Sequence, residues 1–294
     1  MPWLINAAQL DKFRKSQKNV VVFDASWHLS QANRSAKEEF LNHHIVGARF
    51  LDLDAFHQQE TILPNMLIQD QKKLAEWVGA LGVTNDHKII FYDQSELHTS
   101  CRALWIFKVF GHDPNQLYIL DGGFAAFEKY GGKIETGEPR SIATKSYAIC
   151  FENRFIRTLS QMKDNLHDPK EQVIDMRHPV RYAGGKEHRE GLRSGHIPGS
   201  FSFPYFTMFE NEGRFKPLEK IRKQLTGIGV SLASPIITTC GSGMTAAILN
   251  FILDLMNHEK HSLYDGSWAE WGASQLYSDE DSLDERPVET SIEG

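Results

Sequence analysis

Residues 236–245 read I-I-T-T-C-G-S-G-M-T, and Cys240 is the residue there best placed to do chemistry. A β-branched run leads into it, and the apolar helical pattern MTAAILNFILDLMNH follows within a few residues. This puts Cys240 at the carboxyl end of a strand and the N-terminus of a helix, the edge where open α/β sheets bind ligands. Gly241, Ser242 and Gly243 are small, and the two glycines allow positive φ. Such a loop can turn its N–H groups inward as an anion-binding concavity, and the helix adds partial positive charge. A free thiol has a pKa of about 8.5, which a helix N-terminus lowers. The expectation is a thiolate nucleophile facing a cradle that also tolerates an added sulfur atom. The alternatives are a buried structural thiol and a phosphatase loop, which needs an arginine soon after the cysteine. GSGMTAAIL contains none.

Bulk properties narrow the field. A net charge of −6 over 294 residues gives no electrostatic case for nucleic acid or an anionic membrane. Small anionic substrates therefore need local positive charge. The N-terminus MPWLINAAQLDKFRK carries no apolar run that reads as a signal peptide. No segment approaches the ~20 apolar residues of a spanning helix. A cytoplasmic protein is expected. The three cysteines, Cys101, Cys150 and Cys240, are far apart and form no C-x-x-C, so neither a disulfide framework nor a zinc site is expected.

The elements that must position Cys240 occur twice. VVVFDASW resembles VIDMRHP, setting Asp24 against Asp175; HHIVGARFLDLD resembles GHIPGSFSFPY, setting His44 against His196. IIFYD resembles IITTC, setting Asp93 against Cys240, and YILDGGFAAF resembles LYDGSWAEW, setting Gly122 near Gly266. These matches keep one order, so the chain is two copies of one domain. Short apolar strands alternate with helical patterns in both, which implies α/β domains with parallel sheets covered on both faces. Gly82 and Gly229 are expected helix stops. The domains are expected at 1–130 and 156–274, joined by a linker at 131–155 and followed by a loosely held acidic tail at 275–294. Asp93 reads as a loop-capping carboxylate, Cys101 as core, and Trp268 and Trp271 as packing residues.

This tandem repeat, with Asp93 against Cys240, H-I-P-G at 196–199 and the small-residue loop, resembles the two-domain rhodanese superfamily. Within it, C-G-S-G-M-T-A and LYDGSWAEWG are most similar to the 3-mercaptopyruvate sulfurtransferases. The resemblance implies tandem rhodanese-like domains, with the active site in the C-terminal copy at the interdomain cleft. It implies sulfur transfer from a small anionic donor through a Cys240 persulfide. The acceptor is a thiol, such as thioredoxin or a small thiol, or cyanide. No metal or organic cofactor is implied. Arg181 and Arg189 match the arginines that hold the donor's carboxylate and carbonyl, a task suited to a bidentate guanidinium. Gly241, Ser242, Gly243, Met244 and Thr245 would supply amides to the persulfide. Ser242 and His44 would relay the proton, and Arg177 would make a structural ion pair. His196 is read as a turn residue of its own copy. Two departures stand out: Ser35 occupies the acidic position behind the histidine, leaving Glu38 or Glu39 to substitute, and Asn65-Met66-Leu67-Ile68 differs from the usual His-Met-Leu-Pro. Two alternatives stay open: thiosulfate as donor, or a persulfide carrier with little turnover.

Overall fold

The computed structural model describes residues 3–58, 63, 66–67, 69–275 and 282–291. The chain divides into two compact units. Among the described residues, unit 1 holds the strands β1 (Leu4–Ile5), β2 (Val20–Asp24), β3 (His44–Ile45), β4 (Arg49–Phe50), β5 (Lys88–Tyr92), β6 (Leu117–Leu120) and β7 (Ile134–Glu135). Its helices are α1 (Ala7–Ser16), α2 (Ala36–Asn42), α3 (Gln71–Ala80), α4 (Ser100–Val109) and α5 (Gly123–Lys129). Unit 2 holds β8 (Ile156–Arg157), β9 (Gln172–Asp175), β10 (Phe201–Ser202), β11 (Ile236–Thr239) and β12 (His261–Tyr264). It is completed by α6 (Leu159–His167), α7 (Pro179–Tyr182), α8 (Leu218–Gly227), α9 (Ala246–Leu255) and α10 (Ser267–Trp271).

The repeat is reproduced strand for strand. The first parallel sheet runs β1-β6-β5-β2-β4 and the second runs β8-β12-β11-β9-β10, the same order by position in the repeat. Even the first helices match. Asn6 with Gln9 and Thr158 with Gln161 form capping boxes at the starts of α1 and α6, each satisfying two otherwise unpaired amides. The central strands are wholly buried or nearly so because helices cover both faces. The helices after the two key loops are almost wholly enclosed: all ten residues of α4 and nine of ten in α9 are buried. Each Leu or Ile so buried contributes roughly 1.5–3 kcal/mol, so these helices anchor their loops to the sheet. Gly82 and Gly229 end α3 and α8 with φ of +72° and +94°, which a side chain would resist.

The connecting regions are held more firmly than their composition suggests. The segment 131–155, read as the linker between the copies, packs largely on unit 1. Ile134–Glu135 pairs antiparallel with His44–Ile45. Further on, Tyr147 is buried, and the amides of Lys145, Cys150 and Glu152 bond Gly79, Phe110 and Val109. Residues 282–291 of the expected loose tail are likewise held in unit 2. Arg286 is fully buried and donates from Nη1 to the carbonyls of Glu270, Trp271 and Ala273, and from Nη2 to that of Gln275. It closes the carboxyl end of α10, where helix carbonyls need partners. Trp271 Nε1 donates to Pro287 O, and Glu289 bridges His196 in an antiparallel pair. Glu135 with His44 and Glu289 with His196 are thus the same feature in the two copies. The composition of the tail hid this, because a few apolar residues and one arginine suffice to seat it. Arg286→Ala should cost about 3 kcal/mol by leaving buried carbonyls unpaired. Denaturant unfolding would check this; a change under about 0.5 kcal/mol, typical of a surface site, would contradict it.

Short segments finish each sheet edge. In unit 1 the amide of Phe215 donates to Asp121 Oδ1 at 3.0 Å, and in unit 2 the amide of Leu67 donates to Asp265 Oδ2 at 2.9 Å. Of the departure noted at 65–68, Asn65 and Ile68 lie outside the described residues. Among the described residues no helix is long and apolar enough to cross a membrane.

Candidate active site

Cys240 directly follows β11, and its neighbour strand β9 ends at Asp175, level with Thr239. The loop is fixed from one side by the start of α10. Ser267 Oγ accepts from the Cys240 amide at 3.2 Å, and the amides of Trp268 and Ala269 donate to the carbonyls of Cys240 and Gly241 at 3.0 and 2.9 Å. With its carbonyls held this way, the loop turns through Gly243, whose φ is +77°. An alternation of right- and left-handed residues of this kind gathers amides into an anion-binding nest. α9 then starts at Ala246 without a side-chain cap from Thr245, so a ligand can take the capping role. Cys240, Ser242 and Met244 are nearly enclosed, at 2%, 6% and 3% exposure.

The matching loop of unit 1 holds an anion. At the position of Cys240 stands Asp93, and its carbonyl likewise accepts from the start of α5, at Phe124. Its carboxylate accepts from the amides of Ser95 and Ser100 at 3.1 and 2.9 Å. The N-terminal cradle is therefore filled by the chain's own anion. In unit 2 the residue there is a thiol in a smaller loop.

The arginines form an ordered row beside the loop. Arg177, 1% exposed at its side chain, is locked by Asp175, by the Gly195 carbonyl and by Glu187 Oε1 at 2.9 Å, and its guanidinium lies 4.1 Å from the Trp268 ring. It is a structural ion pair, as its place beside Asp175 implied. Arg181 binds Glu187 Oε2 through Nε and Nη2 at 3.0 and 2.6 Å. Its terminal nitrogens lie 3.5 Å from where a Cβ on Gly241 would stand. Arg189 makes no hydrogen bond among the described residues, and its Nη1 is buried. Burial first, then the like charge of Arg181, lowers its pKa, while Cys240 and Glu187 act to raise it. A buried guanidinium nitrogen without a partner is costly and is expected where an anion is to be received. The structure thus brings Cys240, Gly241, Ser242, Gly243, Met244, Thr245, Arg181 and Arg189 together in unit 2. Arg193 instead holds the carbonyls of Trp271 and Gly272.

His44 lies in unit 1. Its ring stacks on Phe40 at 4.0 Å and its Nδ1 bonds the Phe40 carbonyl at 2.7 Å, while Nε2 is 3.4 Å from Glu135. His196 repeats this in unit 2, stacked on Tyr182 at 3.7 Å with Nδ1 on the Tyr182 carbonyl at 2.7 Å and Nε2 3.7 Å from Glu289. Both histidines fasten the turn after them to an aromatic ring and an acidic strand, a structural task that the matched H-I-V-G and H-I-P-G turns share. Ser35, at the acidic position, caps α2 by accepting from the Glu38 amide, and Glu39 is engaged by Arg34 and His28. Of the other cysteines, Cys101 is buried, with its thiol pKa pushed well up by burial and by Asp93, and Cys150 is exposed. Glu187 and Ser267 escaped sequence reasoning; only the crowding of arginines around Glu187 signalled it.

The folded repeat and the loop define a tandem α/β domain built around one cysteine, and the comparisons agree. The rhodanese-like domain model matches residues 6–130 and 158–274, and the chain belongs to that family in two copies. The chain is an enzyme of the sulfurtransferase class, as its relatives over most of its length are. It is 33% identical over 276 residues to a mitochondrial thiosulfate/3-mercaptopyruvate sulfurtransferase of Arabidopsis thaliana, covering 87% of this chain and 72% of that one. It is 33% identical to 3-mercaptopyruvate sulfurtransferase of Mus musculus, covering 90% and 89%, and 34% identical to thiosulfate sulfurtransferase of Gallus gallus, covering 85% of each. Among solved structures, the 3-mercaptopyruvate sulfurtransferase SseA from Escherichia coli is similar at a TM-score of 0.82 and 30% identity. The match covers 92% of this chain and all of that one.

Proposed function

We propose that the protein transfers sulfur from 3-mercaptopyruvate through a persulfide on Cys240. The observation that carries this is the small-residue loop at Cys240 beside Arg189, whose buried Nη1 has no hydrogen-bond partner among the described residues. The donor's carboxylate and carbonyl lie on Arg181 and Arg189. The Cys240 thiolate attacks the donor sulfur; the S–S bond forms as the C–S bond breaks. The C–S electron pair leaves as the enolate of pyruvate, which takes up the proton released from the donor thiol, with Ser242 at hand to pass it. The loop amides from Gly241 to Thr245 and the α9 N-terminus stabilise the persulfide anion. A thiolate acceptor, from a small thiol or a protein such as thioredoxin, then attacks the outer sulfur and leaves Cys240 as thiolate. Cyanide is converted to thiocyanate in the same way. No metal or organic cofactor enters.

Thiosulfate as preferred donor is the second reading, favoured by relatives named for it at the same identity. The absence of basic residues from G-S-G-M-T argues for the monoanionic donor, because the dianion calls for more charge at the loop. Steady-state rates of pyruvate and sulfite release separate the readings. The expected kcat/KM is at least about tenfold higher with 3-mercaptopyruvate, the size of one favourable polar contact. A thiosulfate preference would overturn the donor assignment.

A further inference from the structure

Glu187 is a buried carboxylate that the reaction as proposed does not use. Its side chain is 3% exposed, and each oxygen is occupied: Oε1 by Arg177, Oε2 by Arg181. Arg177 is itself immobilised by Asp175, so Glu187 hangs from a fixed support that begins at the end of β9. It holds Arg181 by Nε and Nη2 and leaves Nη1, which has no hydrogen-bond partner among the described residues, directed past Gly241. A guanidinium gripped along one edge presents the other in a set direction. Glu187 also sets the charge of the row: among the described residues the carboxylates recorded against Arg177, Arg181 and Arg189 are Asp175 and Glu187, leaving one net positive charge for the donor and Cys240. In a site this enclosed, removing one carboxylate changes anion preference strongly.

We infer that Glu187 is the positioning and specificity-determining residue of the site: it aims Arg181 at the donor and tunes the arginine row to a monoanion over a dianion. This rests on the proposed function, so one readout is independent of sulfur transfer. Glu187→Gln raises net charge by one. It should shift the thiosulfate-to-mercaptopyruvate ratio of kcat/KM toward thiosulfate by about tenfold. It should raise by a similar factor the rate of Cys240 alkylation by anionic iodoacetate relative to neutral iodoacetamide. Glu187→Asp keeps the charge but shortens the arm. It should leave both ratios within about twofold of the parent while raising the mercaptopyruvate KM about fivefold at nearly constant kcat, the pattern of lost positioning. Equal losses on both donors with unchanged alkylation selectivity in Glu187→Gln would show a purely structural role and overturn the inference. An Asp variant that shifts the ratios as far as Gln would overturn it too, as would one with an unchanged KM. A parent that turns over neither donor refutes the proposed function alone, since the alkylation ratio still tests Glu187.

Discussion

Cys240→Ser is expected to lower turnover on either donor at least a thousandfold and to abolish sulfur loading, because a serine hydroxyl near neutrality is neither ionised nor able to carry sulfur through a labile S–S bond. The fold should survive. The side chain is enclosed and Ser is nearly isosteric, while the loop is held by backbone bonds from Ser267, Trp268 and Ala269 that do not involve sulfur. Cys101→Ser and Cys150→Ser are the controls. The first thiol is buried in α4 with its pKa raised, and the second is exposed at the end of unit 1. Donor assays with intact mass spectrometry check all three. Near-parent turnover in the Cys240 variant would remove the nucleophile from the account.

Arg189→Ala is expected to lower kcat/KM on mercaptopyruvate by about a hundredfold, mostly in KM, since one charge-assisted contact to the donor is lost. Stability should hold or rise slightly. Arg189 has no hydrogen bond to lose among the described residues, has a buried nitrogen, and feels the like charge of Arg181. Removing a desolvated, unpaired charge relieves the fold even as it disables the site, a familiar exchange between stability and activity. The contrast is Arg177, bound to two carboxylates and a carbonyl, whose removal should unfold unit 2 rather than merely raise KM. Steady-state kinetics paired with thermal unfolding would check this. A destabilised Arg189 variant with unchanged KM would make it a structural residue.

Much of this was readable in the chain. The repeat announced itself because strand ends such as Asp24 and Asp175 sit at defined points of an identical strand order, so chemistry and topology agree. The Cys240 loop was readable because small residues between a strand and a helix have few other uses. What escaped depended on distant partners. Glu187 looks like one more surface glutamate until Arg177 and Arg181 fold onto it. Residues 282–291 look acidic and loose because the interactions that seat Arg286 and Glu289 come from α10 and from His196, remote in sequence. His44 stood out as chemistry because histidine titrates near neutrality; its stack on Phe40 adds a structural task that a linear reading does not show.

The most direct test of the central claim is intact-mass and peptide-level detection of sulfur after one exposure of the purified protein to 3-mercaptopyruvate, without acceptor. The account predicts one added sulfur atom on Cys240, one pyruvate released per loaded chain, and complete unloading on adding cyanide or a thiol. Pyruvate release with no sulfur on Cys240, or sulfur found on Cys101 or Cys150 instead, would contradict it.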